Sequence, residues 1–336
     1  FRHRPDGTIK YAENPPKKYQ DVYPVDFENS DWKALWEALH DVLAFWIARG
    51  VTIFRVDNPH TKPLPFWQWV IDRLHENHPE VIFLSEAFTR PKMMKALAKV
   101  GFTQSYTYFT WRNTAEELTE YLTELTSPEM LACYRPNFFT NTPDILPEIL
   151  QTGGRPAFRQ RLVLAATLSP SYGIYSGFEL CENAPVPGTE EYLNSEKYEL
   201  KHRDFDAPGN IGADIARVNE IRRTHPALQR LDGLRFYETD NPNLLLYRKA
   251  SADGMDQLIV AVNLDPHHPH HGTGFVPLED LGFPEGTRFE VEDLLSGAAW
   301  IWSDRNYIRL DPEMEPAHIL RVGKAIREPS VREDEI

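Results

Sequence analysis

The chain has 336 residues, which predicts about two domains, with 41% hydrophobic and 26% charged residues, a balance that excludes long disorder and fibrous folds. Lys and Arg total 36 against 50 Asp and Glu; the formal charge of −14 disfavours nucleic-acid binding but leaves room for a local cationic pocket. The two cysteines, Cys133 and Cys181, are too few for a disulfide framework and suit a reducing compartment, and no apolar run approaches the ~20 residues of a membrane span.

The chain opens on Phe1-Arg2-His3-Arg4-Pro5-Asp6-Gly7, with neither an initiator Met nor a readable leader. Residues 1–28, rich in Pro, Lys and Tyr, read as an irregular loop. A helix is predicted from about Ser30, with Leu35, Trp36, Leu39, Val42, Leu43, Trp46 and Ile47 at helical spacing and Gly50 as its stop. Val51 to Val56 reads as a buried strand ending in Asp57. A helix from about Pro65 to Asn77 and a strand from Val81 to Leu84, ending in Ser85-Glu86, follow. A helix is predicted over Pro91–Lys99 and a strand over Gln104–Phe109. Thr114-Ala115-Glu116-Glu117 is a capping box that opens a helix to about Leu125. Asn137 to Thr140 reads as a strand ending in Asn141-Thr142-Pro143-Asp144. Pro156 to Leu168 reads as a helix and Tyr172 to Tyr175 as a strand. A long loop, 176–210, precedes a helix from about Ala213 to Thr224.

From about Leu234 the pattern changes to short strands: 234–238, 244–249, 258–263, 288–293, 307–310 and 319–322. Turn residues between them predict a small antiparallel β-sandwich. The tail after Gly323 is charged and is expected to be loose. The expected division is a loop region over 1–28, an α/β region over 29–232, a sandwich over 233–324 and a tail over 325–336.

Alternating strands and helices imply parallel βαβ units. Two architectures accommodate five such strands: an open doubly wound sheet or the later strands of a (β/α)8 barrel. Acidic residues follow three strands, at Asp57, Glu86 and Asp144. A barrel gathers all strand C-termini on one face, whereas an open sheet often carries a Gly-rich phosphate loop, which is absent here. The barrel is favoured.

Glycosidic chemistry needs two carboxyl groups across one anomeric carbon, about 5–5.5 Å apart in retaining enzymes. Asp57 and Glu86 end consecutive strands, so that separation is feasible. Arg55 lies two residues before Asp57 on the same strand face, where a guanidinium keeps a carboxylate ionised. Each acid alone also fits a duller role: a helix cap at Asp57, a rim ion pair at Glu86, a turn at Asp144. The conjunction is more specific. An aromatic share of 12% suits sugar stacking, though large cores use aromatics too.

The segments Gly50–Asp57, Val81–Ala87 and Phe138–Asp144 resemble those of the alpha-amylase superfamily that carry the nucleophile, the acid/base and the transition-state-stabilising Asp. Most members of that superfamily have His before the last Asp; here Thr142-Pro143 stands there. A finer resemblance is to the bacterial alpha-1,4-glucan:maltose-1-phosphate maltosyltransferase family, of whose pattern Thr-Pro is part. It rests on Tyr11–Asp21, Phe54–Pro63, Ser85–Pro91, Phe139–Leu146 and Tyr192–Glu199, and runs over about residues 1–324. The superfamily's first signature segment is absent, so the chain resembles the carboxy-terminal part of a longer enzyme. Five barrel strands would expose two sheet edges and are not expected to be stable alone.

The resemblance implies retaining transfer of maltosyl units from alpha-maltose 1-phosphate to the non-reducing end of an alpha-1,4-glucan. Asp57 would be the nucleophile, Glu86 the acid/base and Asp144 the stabiliser, with Arg55 beside them. Asn14, Lys17, Tyr19 and Asn58 would hold the phosphate, and Lys197 and Tyr198 the distal glucose. A solvated basic loop is the competing reading of Asn14, Lys17 and Tyr19, and a solvated loop pair that of Lys197 and Tyr198. His60 fits either the same pocket or rim packing. No metal or organic cofactor is required. The expected partners are the two substrates, the missing amino-terminal part and a second copy in a cytoplasmic homodimer, with no nucleic acid and no membrane. A glucan hydrolase or another glucanotransferase on the same barrel is the alternative, and a non-catalytic glycan-binding relative a second. The run His267-His268-Pro269-His270-His271 invites a metal reading, but Pro269 breaks regular spacing, and it is expected to lie between sandwich strands as an exposed turn. Cys133 reads as a packing residue.

Overall fold

The structure is a computed structural model that describes residues 1–14, 17–19, 21–196 and 200–326, with Asn14 and Lys17 described by their backbone alone. The chain divides into two compact units. One comprises Phe1–Tyr106 with Ala132–Arg135, the other Thr107–Leu131 with Pro136–Ile336.

In the first unit, β1 (Ala12–Asn14) and β2 (Lys17–Tyr19) pair antiparallel, with Ala12 opposite Tyr19 and Asn14 opposite Lys17. The sequence predicted loop here, because three-residue strands offer too few positions for a period of two to show. Helix α1 (Trp32–Ile47) turns Trp36, Leu39 and Leu43 onto a core formed with α2 (Leu64–His75), from which Phe66, Val70, Ile71 and Leu74 are buried. Between them Gly50, at φ +91°, takes a left-handed conformation that costs glycine nothing and reverses the chain into β3 (Ile53–Asp57). Strand β3 pairs parallel with β4 (Ile82–Glu86), and the stacked rings of Phe54 and Phe83, 5.6 Å apart, lock their register. Helix α3 (Pro91–Lys99) starts on a proline, whose missing N–H is harmless in a first turn. It leads into β5 (Gln104–Tyr106), parallel to β4.

The second unit begins with a single 3-10 turn, Tyr108–Trp111, where the sequence predicted that the strand would continue to Phe109. The Thr107 hydroxyl accepts the Phe109 N–H and turns the backbone out of the extended state. Helix α4 (Ala115–Leu125) carries the expected capping box: Glu117 N–H donates to the Thr114 hydroxyl at 3.2 Å, and Thr114 N–H to the Glu117 carboxylate at 3.1 Å. The short helix α5 (Pro128–Cys133), whose last residues count with the first unit, was not predicted, nor was α6 (Glu148–Thr152); neither is long enough to show a helical repeat. Strand β6 (Pro136–Phe139) and the two-residue β7 (Tyr172–Gly173) pair parallel. A Cβ at Gly173 would sit 2.3 Å from the Phe139 ring, so only glycine fits. Helix α7 (Gly154–Leu168) is buried on nearly every side and therefore lacks a polar stripe. Helix α8 (Gly212–Thr224) follows the long loop.

The rest of this unit is antiparallel sheet: β8 (Leu234–Tyr237), β9 (Leu244–Ala250), β10 (Gln257–Asn263), β11 (His270–Phe275), β12 (Arg288–Asp293), β13 (Ala299–Trp302), β14 (Arg305–Leu310) and β15 (Ala317–Ile326). Six of them form one sheet in the order β13-β12-β15-β10-β9-β8, and β11 pairs with β14. Leu246, Ile259, Phe289, Val291, Ile308 and Leu320 fill the core these strands share. The same unit joins sheet to helix: Gln160 of α7 donates to the Asn263 carbonyl at 2.8 Å, and the Thr167 and Tyr247 hydroxyls bond at 2.5 Å. Strands β11 and β13 were missed. The first hides in the His run and the second is a short aromatic segment on the sheet's edge. His270 and His271 thus begin a strand rather than lie between strands, because their backbone pairs with Leu310 and Arg309.

Candidate active site

In-register pairing of β3 and β4 sets Asp57 directly opposite Glu86. Neighbouring strands lie about 4.8 Å apart, so the two carboxyl groups leave the sheet side by side. The period of two carries Arg55 to the same face as Asp57. Its guanidinium stands 3.3 Å from Glu86 Oε1 and 3.8 Å from Asp57 Oδ2. The contact to Asp57 is therefore an ion pair too long for a hydrogen bond, and Arg55 serves Glu86 more closely. The Tyr106 hydroxyl on β5 also accepts from Arg55.

The two acids differ in environment. The Asp57 side chain is 70% exposed and that of Glu86 11%. Burial pushes the Glu86 carboxyl above its usual range. Arg55 and the Asn58 N–H pull it down, and the Asp57 charge adds to the rise. Asn58 sits at φ 45° and ψ 51°, in the left-handed region that an Asn tolerates. From there its N–H reaches the Glu86 carbonyl at 3.1 Å and Glu86 Oε2 at 3.3 Å. Beyond Asn58 the turn Pro59–Thr61 carries His60 and leads to Lys62. Burial pushes the His60 imidazole down, the Lys62 charge adds to this, and Asp57 opposes it. A raised acid beside an exposed carboxylate is the pairing that lets one group donate a proton while the other attacks.

The second unit places Asp144, half-buried, in a tight turn after β6. Thr142 and Ile145 exchange backbone hydrogen bonds across it, and Asp144 N–H donates to the Thr142 hydroxyl at 3.2 Å. The preceding Asn141 is fully buried; its amide donates to the Tyr192 hydroxyl at 2.6 Å and its carbonyl accepts the Tyr175 N–H at 2.9 Å. Tyr175 in turn donates to Glu196 at 2.7 Å, and Arg203 links Glu196 to Glu182. These residues organise the long loop after β7. Sequence reasoning missed them, since loop residues far apart in the chain share no spacing.

Of the other expected site residues, Tyr19 is half-buried on β2. Lys197 and Tyr198 lie outside the described residues, as do the side chains of Asn14 and Lys17. Asp265 Oδ2 accepts from His268 Nδ1 at 3.0 Å and His270 Nε2 at 3.1 Å, so two imidazoles of the His run are tied to one carboxylate. Among the described residues no group of three or more His, Cys, Asp or Glu side chains is placed to hold a metal. Nor, among them, is any helix long and apolar enough to cross a membrane.

The alpha-amylase of Geobacillus thermoleovorans superposes with a TM-score of 0.70 over 89% of this chain and 66% of its own, at 15% identity. A maltogenic alpha-amylase of Thermotoga neapolitana gives 0.68 over 96% and 72%, at 17% identity. The fold is thus of the alpha-amylase kind, with a terminal antiparallel sheet. A sequence profile described as "GLGE, C-terminal" matches residues 236–322. Alpha-1,4-glucan:maltose-1-phosphate maltosyltransferases of Cereibacter sphaeroides and Rhodospirillum rubrum are 55% and 56% identical over 323 residues, 96% of this chain, but only 48% and 47% of those relatives. That of Pseudomonas aeruginosa is 54% identical over 326 residues, 49% of its length. By sequence the chain is similar to the carboxy-terminal part of these maltosyltransferases and spans about half their length.

Proposed function

We propose that the chain is the carboxy-terminal catalytic part of a maltosyltransferase. The enzyme moves maltosyl units from alpha-maltose 1-phosphate to the non-reducing end of an alpha-1,4-glucan, with retention. The observation that carries the reading is the Asp57–Glu86 pair: one exposed carboxylate and one buried, raised acid in parallel register, bridged by Arg55, in a chain 55% identical to named maltosyltransferases. The proposed division is the later strands of a (β/α)8 barrel over 29–232 and a sandwich over 233–324.

In this reading Asp57 attacks the anomeric carbon and the C1–O bond to phosphate breaks. Glu86 gives its proton to the departing phosphate oxygen. The acceptor 4-hydroxyl then attacks C1, Glu86 takes its proton, and Asp57 leaves as carboxylate. Asp144 stabilises the oxocarbenium-like state. Asn14, Lys17, Tyr19 and Asn58 receive the phosphate, and Lys197 and Tyr198 the distal glucose. No cofactor takes part. The enzyme acts in the cytoplasm as a homodimer.

The test supplies the full-length protein with maltose 1-phosphate and malto-oligosaccharides. Phosphate release matched by growth in steps of two glucose units is the expected result. Glucan cleavage to free sugars without any dependence on phosphate would overturn it in favour of a hydrolase.

A further inference from the structure

We propose that Lys62 is a further ligand of the donor's phosphate and sets the enzyme's preference for a phosphorylated donor. This rests on the donor assigned above and adds a residue to it.

The turn that carries Lys62 is pinned. Thr61 N–H and the Thr61 hydroxyl both donate to the Asn58 carbonyl, at 3.1 and 2.7 Å, and Lys62 N–H donates to the Pro59 carbonyl at 3.1 Å. The Trp67 indole N–H, from α2, holds that same carbonyl at 2.8 Å in a buried contact. A long flexible side chain therefore leaves a fixed base in the turn that follows the attacking Asp57. The Lys62 side chain is half-buried rather than splayed into water. Among the described residues its ammonium forms no ion pair and donates to the neutral Thr61 hydroxyl at 2.9 Å. Burial pulls its pKa down and the Asp57 charge opposes this, which places Asp57 within its electrostatic reach.

A half-buried ammonium held on a neutral anchor lacks its counter-charge. Asp57 cannot supply it by direct pairing without losing its freedom to attack. The charge balance points the same way. A phosphate dianion must enter beside two carboxyl groups, Asp57 and Glu86. Arg55 is already shared between those two and Tyr106. Beside the Lys17 already assigned to the phosphate, Lys62 is a cation without an ion-pair partner among the described residues that can receive the anion, as a point charge on a mobile arm.

The experiment compares two donors that demand the same Asp57 chemistry, maltose 1-phosphate and alpha-maltosyl fluoride, in the full-length protein. Lys62→Met should raise the KM for maltose 1-phosphate about ten- to a hundredfold, the usual size of a lost charge-assisted contact. Its effect with the fluoride should be at least about tenfold smaller, and Lys62→Arg should restore part of the loss. Circular dichroism and melting confirm that the variants fold. Equal losses with both donors would mean that Lys62 acts through Asp57 or the turn, and would overturn the assignment. So would no loss with either. Wild-type protein that uses the fluoride but not maltose 1-phosphate would sink the donor reading itself, a result separable from either failure of Lys62.

Discussion

Strand β3 of the first unit and strand β9 of the second both carry charge, and they treat it in opposite ways. Along β3, Ile53, Arg55 and Asp57 face outward while Phe54 and Val56 turn to the core. Arg55 is 41% exposed, and its contact to Asp57 is long. On β9, Lys249 is wholly buried, yet its ammonium donates to the Arg230 carbonyl at 2.5 Å and to that of Leu231 at 3.3 Å. Asp293 on β12 is likewise complete: it accepts from Ile319 N–H at 3.0 Å, the Ser296 hydroxyl at 2.6 Å and His318 at 3.2 Å. A charge whose partners all come from its own chain holds structure together. One whose surroundings shift its proton affinity while leaving a neighbour open to solvent is set up to act on something else. The contrast separates the antiparallel sheet from the β3–β4 pair more firmly than residue type does, since both contain acids, bases and aromatics.

The comparison breaks if the two classes of charge respond alike to mutation. Asp57→Ala should give the largest effect: transfer falls by at least about a thousandfold because no covalent intermediate forms, while the melting temperature stays near that of the wild type. Initial rates of phosphate release and a thermal melt decide this together. Residual transfer above a few per cent would remove Asp57 from its role. Glu86→Gln comes next, with a loss of about 10²–10⁴-fold. Phosphate leaves readily without help, so the acceptor step should suffer more than the donor step. Trapped maltosyl-enzyme, seen by mass spectrometry of the variant, is the expected signature.

Much of this arrangement was legible in the chain. Helix α3 begins and ends where proline and the apolar spacing put it, and the capping box at Thr114 is formed as the four-residue pattern demands. The strands ending at Asp57 and Glu86 were readable as short runs of β-branched and aromatic residues, but only β4 is buried: β3 alternates exposed and half-buried residues, not the buried strand the sequence predicted. What escaped has physical reasons. The hairpin β1–β2 and helices α5 and α6 are shorter than one period of their own pattern. The closer tie of Arg55 to Glu86 depends on the register of two strands, which no single segment encodes. Lys62 passed unnoticed inside a motif, because only the fold reveals that the residue is half-buried and within electrostatic reach of Asp57. The Asn141–Tyr192 contact spans 51 residues, with nothing local to announce it.

A smaller effect sharpens the reading of the open pair. The positive charge of Arg55 favours the ionised form of Glu86 and so lowers its pKa, against the upward pull of burial. Arg55→Leu removes the lowering contribution. The Glu86 pKa must then rise further, and the pH limb of kcat/KM that reports its ionisation should move toward alkaline pH. The rate itself should also drop, since Asp57 loses the guanidinium 3.8 Å from its carboxylate. A full pH–rate profile of both proteins tests the sign. An acid shift of that limb would show that Arg55 does not govern Glu86.

The smallest effect belongs to the closed class and concerns stability alone. Burial pulls the Lys249 ammonium from 10.5 down to about 7, with Asp232 opposing and Arg222 and Arg230 adding to the fall. The unfolded chain keeps the ordinary lysine affinity, so between about pH 7 and 10 it binds the proton that the folded chain has released. Stability therefore rises with pH across that window, because the unfolded state binds more protons there. Below pH 7 both states are charged, and the folded state bears the full cost of a buried cation. Lys249→Met deletes this contribution while leaving two carbonyls without their donor. The difference in melting temperature, wild type minus variant, should thus grow as pH is raised from about 7 toward 10, and stay flat from 5 to 6.5. Transfer at a temperature where both proteins are folded should be unchanged, since among the described residues the Lys249 ammonium bonds to the Arg230 and Leu231 carbonyls of its own unit and to nothing else. A difference that shrinks with pH would mean that the ammonium stays charged in the fold, compensated by Asp232 more strongly than burial opposes it.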